Sequence, residues 1–304
     1  MRQAENKVRI EGILSEIDIK PGSFKKNGAD MPTLGGQIKV KVTQNINGED
    51  KELEIPVHMF APKMTNKGTP NPAYESIARV QEEFNSIASA GGEEGADCVR
   101  ITSGQLVMNE YYSQDGRFHS FPRVNASFIS KIKANECTPA ATFDAQFVVT
   151  AKADEVDSEG QTTGRYKITG VLPQYGGKVD VFPFFGESAG VIDAISQYWE
   201  IGNTVEAHGK LDFSSTTKTI TQEVDFGDPI EKTTTSNRSE LVITAGSQTP
   251  LDAELAYTSE EIKQGLAERK DKLDKDKERA ASGTKTRTAP PADKSDNGFN
   301  DLGF

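Results

Sequence analysis

Gly104-Gln105-Leu106-Val107-Met108-Asn109-Glu110-Tyr111-Tyr112-Ser113-Gln114-Asp115-Gly116-Arg117 reads as a strand running into a hairpin turn. Val99 to Ser113 is rich in β-branched and aromatic residues. Gln114-Asp115-Gly116 supplies turn chemistry, and the chain returns as a strand from Arg117 to Ile132. Before this hairpin, from Pro72, Ile77, Val80, Phe84 and Ile87 recur at helical spacing up to a Gly91-Gly92 stop, which predicts one amphipathic helix.

Ahead of the helix lie three strand signals. Val8 to Ile17 mostly alternates, with Gly12 marking a sharp bend. A loop rich in Gly, Pro, Asn and Lys is expected from Pro21 to Gly36. Ile38, Val40 and Val42 then alternate with Lys39 and Lys41, and past a turn at Asn45 to Glu49, Leu53, Ile55 and Val57 mark a strand ending near Phe60. The order is three strands, a helix, two strands.

After Pro139 the order repeats: strands over Phe143–Glu155, Arg165–Leu172 and Lys178–Phe185, a short helix over Ala189–Trp199, then strands over Asn203–Phe213 and Lys218–Phe226 that close the unit. Leu241 to Ala245 is apolar enough for one more strand. Tyr257 to Ala281, with mixed charges and few apolar residues, predicts an exposed helix, and past Ser282 the Thr, Lys, Pro and Asp content predicts disorder. The expected fold class is all-β with a minor helix: two tandem OB-fold-like five-stranded barrels, over 1–136 and 140–235, a connecting segment with a charged helix over 236–282, and a flexible tail over 283–304.

A chain of 304 residues accommodates two domains. It has no apolar run long enough to cross a bilayer, and its start lacks the apolar core of a signal peptide, so a soluble cytoplasmic protein without a membrane partner is expected. Cys98 and Cys137 read as two reduced structural thiols. His58, His119 and His208 lack ligand spacing, and no Walker loop, G-x-S-x-G or H-E-x-x-H occurs; neither a cofactor, a metal nor an enzymatic activity is expected. The net charge of −11 argues against nucleic acid, but a basic groove can sit on an acidic body.

The quoted hairpin, Gly104 to Arg117, resembles the fourth strand and turn of bacterial and phage single-stranded DNA-binding proteins; Val8 to Leu14 is similar to their opening strand. The terminal Asn300-Asp301-Leu302-Gly303-Phe304 resembles their partner-docking tip, with one acid beside Leu302 and Gly303 where Pro is usual. The resemblance touches the first domain and the extreme C-terminus. It implies a non-catalytic protein of a bacterial cell or phage-infected host that coats single-stranded DNA during replication, recombination or repair. Asp301, Leu302 and Phe304 would recruit partner proteins.

On such a barrel, aromatic rings stack on bases while Lys and Arg follow phosphates. The candidates are Lys39 and Lys41 on the second strand, Phe60 on the third, and Tyr111, Tyr112, Arg117 and Phe118 at the hairpin. Arg165, Lys167, Tyr175, Phe182 and Phe184 are their counterparts in the second domain. Lys20, Lys25 and Lys26 lie in the expected first loop. Tyr111 and Tyr112 are strand neighbours and point to opposite faces; likewise Phe182, Phe184 and Phe185 cannot all face inward. The alternative is a β-rich interaction or structural protein without nucleic-acid binding. A nuclease on one of the barrels is a further rival.

Overall fold

The computed structural model describes residues 1–26, 28–222 and 230–282, with 215–222 and 230–237 taken as backbone only. The tail and its tip residues Asp301, Leu302 and Phe304 lie outside the described residues.

Strands β1 (Asn6–Lys26), β2 (Ala29–Ile46) and β3 (Glu49–Pro62) are successive antiparallel neighbours. Ile38, Val40 and Val42 of β2 and Leu53, Ile55 and Val57 of β3 are buried inside, each contributing about 1.5–3 kcal/mol by leaving water. The alternate residues, Lys39 and Lys41 among them, take the outer face. The chain then forms α1 (Pro72–Glu83) and α2 (Ile87–Ala90), and returns as β4 (Cys98–Tyr112), β5 (Phe118–Asn125) and β6 (Ser130–Ile132).

Strand β4 pairs with β1, and β5 lies between β4 and β3, closing a barrel in the order β1-β2-β3-β5-β4. With a helix between the third and fourth strands, this is the OB arrangement. β1 serves two neighbours by bending, its first half against β4 and its second against β2, with a bulge between Leu14 and Glu16. Gly12 permits the crossing: a Cβ there would stand 2.2 Å from the Lys41 carbonyl oxygen. Ile77 and Val80 of α1 are buried against the core. The single helix expected over this region is interrupted, because α1 ends at Phe84 and the Ser86 hydroxyl accepts the Ser89 N–H to start α2 in a capping box.

The second barrel repeats the plan with β7 (Ala140–Val156), β8 (Thr162–Pro173), β9 (Val179–Gly186), α3 (Ala189–Tyr198) and β10 (Thr204–Asp212). Then come β11 (Ser215–Gln222), β12 (Ile230–Asn237), β13 (Glu240–Gly246) and the helix α4 (Ser259–Ala281). The closed order is β7-β8-β9-β13-β10. Two expectations change here. The closing strand is β13, whose Leu241, Val242 and Ile243 are buried; among the described residues β11 pairs only with β12, and the expected strand end at Phe226 lies outside them. And α4 is not wholly exposed: Ile262 and Gly265 are buried, the latter because a Cβ there would stand 2.5 Å from Val179 Cγ1, and Leu266 packs on the core.

A third correction concerns the first barrel. Pro21 to Gly36 is not a loop, since β1 and β2 stay paired up to Lys26 and Ala29 in a long ribbon. Pro21 and Pro32 fall on the same alternating class of pairs, so both can turn their N–H-less nitrogens away from the partner strand.

The barrels share one eleven-stranded sheet, because Asn6 to Glu11 of β1 pairs antiparallel with Ala140 to Ala145 of β7. Val8 faces Phe143, and a bulge begins six residues beyond each, at Leu14 and at Val149. The junction therefore has an approximate two-fold axis. Gln44 donates to the Leu211 carbonyl at 2.9 Å, and Gln174 to the Leu106 carbonyl at 3.1 Å. Lys51 of the first barrel pairs with the buried Asp212 of the second at 2.8 Å.

Candidate nucleic-acid interface

Strand register assembles the outer face of the first barrel. Lys20, Gly35 and Phe60 lie abreast on β1, β2 and β3; in the next row Asp18, Gln37, His58, Asn125 and Gln105 run across five strands. Along β5 the same face carries Arg123, Phe121 and His119, opposite Val107, Asn109 and Tyr111 of β4. Phe60 is 61% exposed. Tyr111 stacks on His119 at 4.9 Å between centroids and meets Phe121 edge-on at 6.4 Å. An exposed ring thus stands at one end of the face and an aromatic cluster at the other.

Between them lies a polar patch. Arg123 donates through Nη1 to Asn109 Oδ1 at 3.3 Å, while its buried Nε has no acceptor. The Asn125 Oδ1 is buried without a donor. Burial, helped by the Arg123 charge, pushes the His58 pKa down to about 4, so the imidazole is neutral. Burial also lowers the Arg123 pKa; the opposing influence is Asp180 of β9. That carboxyl accepts from the Met108 N–H at 3.2 Å and Gln174 Nε2 at 2.9 Å, and its own pKa is raised by burial.

The contrast with other half-buried arginines is sharp. Arg100 holds Glu11 at 2.7 Å, Arg269 holds Glu110, and Arg238 holds Glu240 at 2.7 Å. Arg165 holds Glu155, Glu187 and Glu240. Arg123 enters no ion pair among the described residues.

The cations read from sequence fare differently. Lys39 pairs with Glu16 at 2.8 Å, and Lys41 with Glu52 at 2.9 Å and Glu93 at 2.6 Å, which raises the Lys41 pKa. The basic stripe of β2 is therefore neutralised by carboxylates of β1, β3 and the turn between α2 and β4. Lys20 pairs with Asp18, and Lys26 bonds Asn66, whereas the exposed Lys25, Lys63 and Lys67 form no ion pair among the described residues. From 56 to 71 the chain carries no carboxylate side chain, so the open end of β3 near Phe60 is locally basic on an acidic protein.

Tyr111 and Tyr112 do face opposite ways. Tyr112 packs with Phe118 at 5.1 Å on the other side of the hairpin, where Lys277 of α4 lies over its ring at 6.0 Å. These two rings are separated from the Tyr111 cluster. Arg117, in the turn, pairs with Asp115 at 3.2 Å.

The second barrel corrects three expectations. Phe182 and Phe184 are fully buried, because even positions of β9 point inward, where Phe184 stacks on Phe147 at 4.3 Å. Phe185 faces out but is covered by the Arg165 guanidinium at 4.3 Å. Arg165 is thereby spent on three carboxylates and a ring rather than presented to solvent. Lys167, on the same strand face, forms no ion pair among the described residues, and Tyr175, in the turn before β9, is 83% exposed.

Sequence reading passed over Arg123, Asn125 and Asn109 and treated His58 and His119 as unrelated. The available signal was spacing: Phe121, Arg123 and Asn125 alternate with the buried Pro122 and Val124 on one returning strand.

The profile of the YorF family matches residues 4–279, nearly the whole chain. The chain belongs to the YorF family. No curated protein sequence matches it. Among solved structures, it is similar to the wild-type single-stranded DNA binding protein from Thermus aquaticus, with 9% identity and a TM-score of 0.49 over 85% of this chain and 99% of that one. A deletion mutant of the same protein gives 12% identity and a TM-score of 0.48 over 86% and 100%. In this YorF-family chain Phe60, the Tyr111–His119–Phe121 cluster and Arg123, which enters no ion pair among the described residues, share the outer face of the first barrel.

Proposed function

We propose that this YorF-family chain is a non-catalytic single-stranded DNA-binding protein that holds the strand on the outer face of its first barrel. The observation that carries the reading is Arg123: a half-buried guanidinium that enters no ion pair among the described residues, set between Phe60 and the Tyr111–His119–Phe121 cluster. Rings accept any base through its π-face, at about 1–3 kcal/mol per stacked base, and unpaired cations take the strand's charge and hydrogen bonds. Lys25, Lys63 and Lys67 extend this basic character at the Phe60 end. Coating of exposed strands during replication, recombination or repair in a bacterial or phage-infected cell, and partner recruitment by Asp301, Leu302 and Phe304, complete the proposal; their support is the resemblance of the hairpin and the tip.

Fluorescent oligo-dT titrated at low and high salt tests it. Saturable binding that weakens with salt is expected, and Phe60→Ala with Tyr111→Ala should weaken it further. No binding at micromolar protein in low salt would leave the second reading, a β-rich interaction protein. The observation favouring that reading is the pairing of Lys39 and Lys41 with carboxylates.

A further inference from the structure

Stacking accounts for the two ends of the outer face but not for its centre, where Arg123, Asn109, Asn125 and His58 meet. A surface made only to follow a backbone needs charge, yet three of these four groups are neutral hydrogen-bonding groups, His58 being held uncharged by its surroundings. Arg123 Nε and Asn125 Oδ1, two residues apart on one strand face, are unsatisfied but closed to solvent, so what Arg123 offers a ligand is the terminal N–H groups of its guanidinium. The exposed lysines that form no ion pair among the described residues stand elsewhere, at Lys25, Lys63 and Lys67. A base held between one stacked on Phe60 and one stacked on the Tyr111 cluster would bring an edge to these groups.

We propose that Arg123 reads a guanine edge laid across this patch, giving an otherwise sequence-tolerant face one base-selective position. The inference rests on the strand-binding reading of the same face. A guanidinium fork matches the two acceptors O6 and N7 of guanine, the commonest specific contact such a group makes with a base. No other base offers two adjacent acceptors on that side. Partial burial strengthens the preference, since directional hydrogen bonds formed away from water count for more than those in solution.

The test uses the full chain and fluorescence anisotropy with three oligonucleotides of equal length: all-dT, dT with one central dG, and the same with 7-deazaguanine, which lacks N7. The expected result is a gain of about tenfold for the dG oligonucleotide over all-dT, mostly lost with 7-deazaguanine. Arg123→Lys keeps the charge but not the fork; it should bring the ratio of dG to all-dT affinity, read within the variant itself, down to about one. Equal affinity of the wild-type chain for all-dT and dG oligonucleotides overturns the proposal, as does a gain that survives in Arg123→Lys. Arg123→Gln identifies the remaining source of paired acceptors. An equal loss on every oligonucleotide, with a salt slope shallower by about one phosphate, would place a phosphodiester there and also overturn it. Circular dichroism and a thermal midpoint confirm that each variant is folded. Wild-type binding to none of the oligonucleotides would reject the strand reading itself, a different outcome from binding without guanine preference.

Discussion

Gly35 lies directly beneath the ring of Phe60, so close that a Cβ at 35 would stand 3.0 Å from Phe60 Cδ2. The ring has a flat seat made of backbone and keeps its outer side free. Phe60→Ala should weaken oligo-dT binding by about 1–3 kcal/mol with little change in thermal midpoint, because the ring is 61% exposed. Gly35→Ala tips the ring without removing it, and a smaller loss in the same titration is expected. Equal affinity of Phe60→Ala and wild type would remove Phe60 from the site.

His58 gives stability a pH dependence with a definite sign. Its folded pKa, about 4, lies below the ordinary 6.5, so the unfolded chain binds the extra proton first. The contribution is complete above about pH 6.5 and is lost as pH falls toward 4. Urea titrations between pH 7 and 4 should show a stability decline in the wild type that is shallower in His58→Gln. Parallel curves would show that the imidazole is solvated.

Glu11 is buried and gripped by Arg100 through Nε at 2.7 Å and Nη2 at 3.0 Å, with the Thr138 N–H at 2.7 Å. These bonds, led by Arg100, lower its pKa to about 2, so its contribution is present above about pH 4.5 and lost on acidification toward 2. Removing one partner of a buried pair costs about 3–5 kcal/mol, and Glu11→Gln should approach the lower figure because Arg100 is partly exposed. Chemical denaturation measures it; a change below 1 kcal/mol would contradict a tightly held pair.

Arg165 should behave as a structural residue. Arg165→Ala leaves Glu155, Glu187 and Glu240 facing one another and uncovers Phe185. A thermal midpoint lowered by several degrees is expected, with oligonucleotide affinity unchanged below the transition. Weaker binding by a fully folded variant would instead return Arg165 to the list of strand contacts.

Phe184→Ala should cost about 3–5 kcal/mol, since it empties a fully buried site stacked against Phe147. Strand affinity of the folded fraction should be unaffected, as the ring has no exposed surface to offer a base.

The sequence by itself determined what depends on local periodicity. Alternation at Ile38 to Val42 and at Leu53 to Val57, the helix before the hairpin, and the repeat of that order after Pro139 specify two barrels, because each choice of face is made by a residue and its near neighbours. Gly12 marked the bend for the same reason, although the carbonyl that requires it, at Lys41, comes from another strand. Only the tertiary structure decided which charges and rings remain available. Lys39, Lys41 and Arg165 look like free cations in one dimension, but their carboxylates come from β1, β3, the turn between α2 and β4, β7, the end of β9 and β13, which only folding brings near. Phe182 and Phe60 carry the same ring, yet one fills the core and the other lies on Gly35, a difference set by strand register. Arg123 became visible last, since being unpaired is a property of everything around a residue and of nothing in the residue itself.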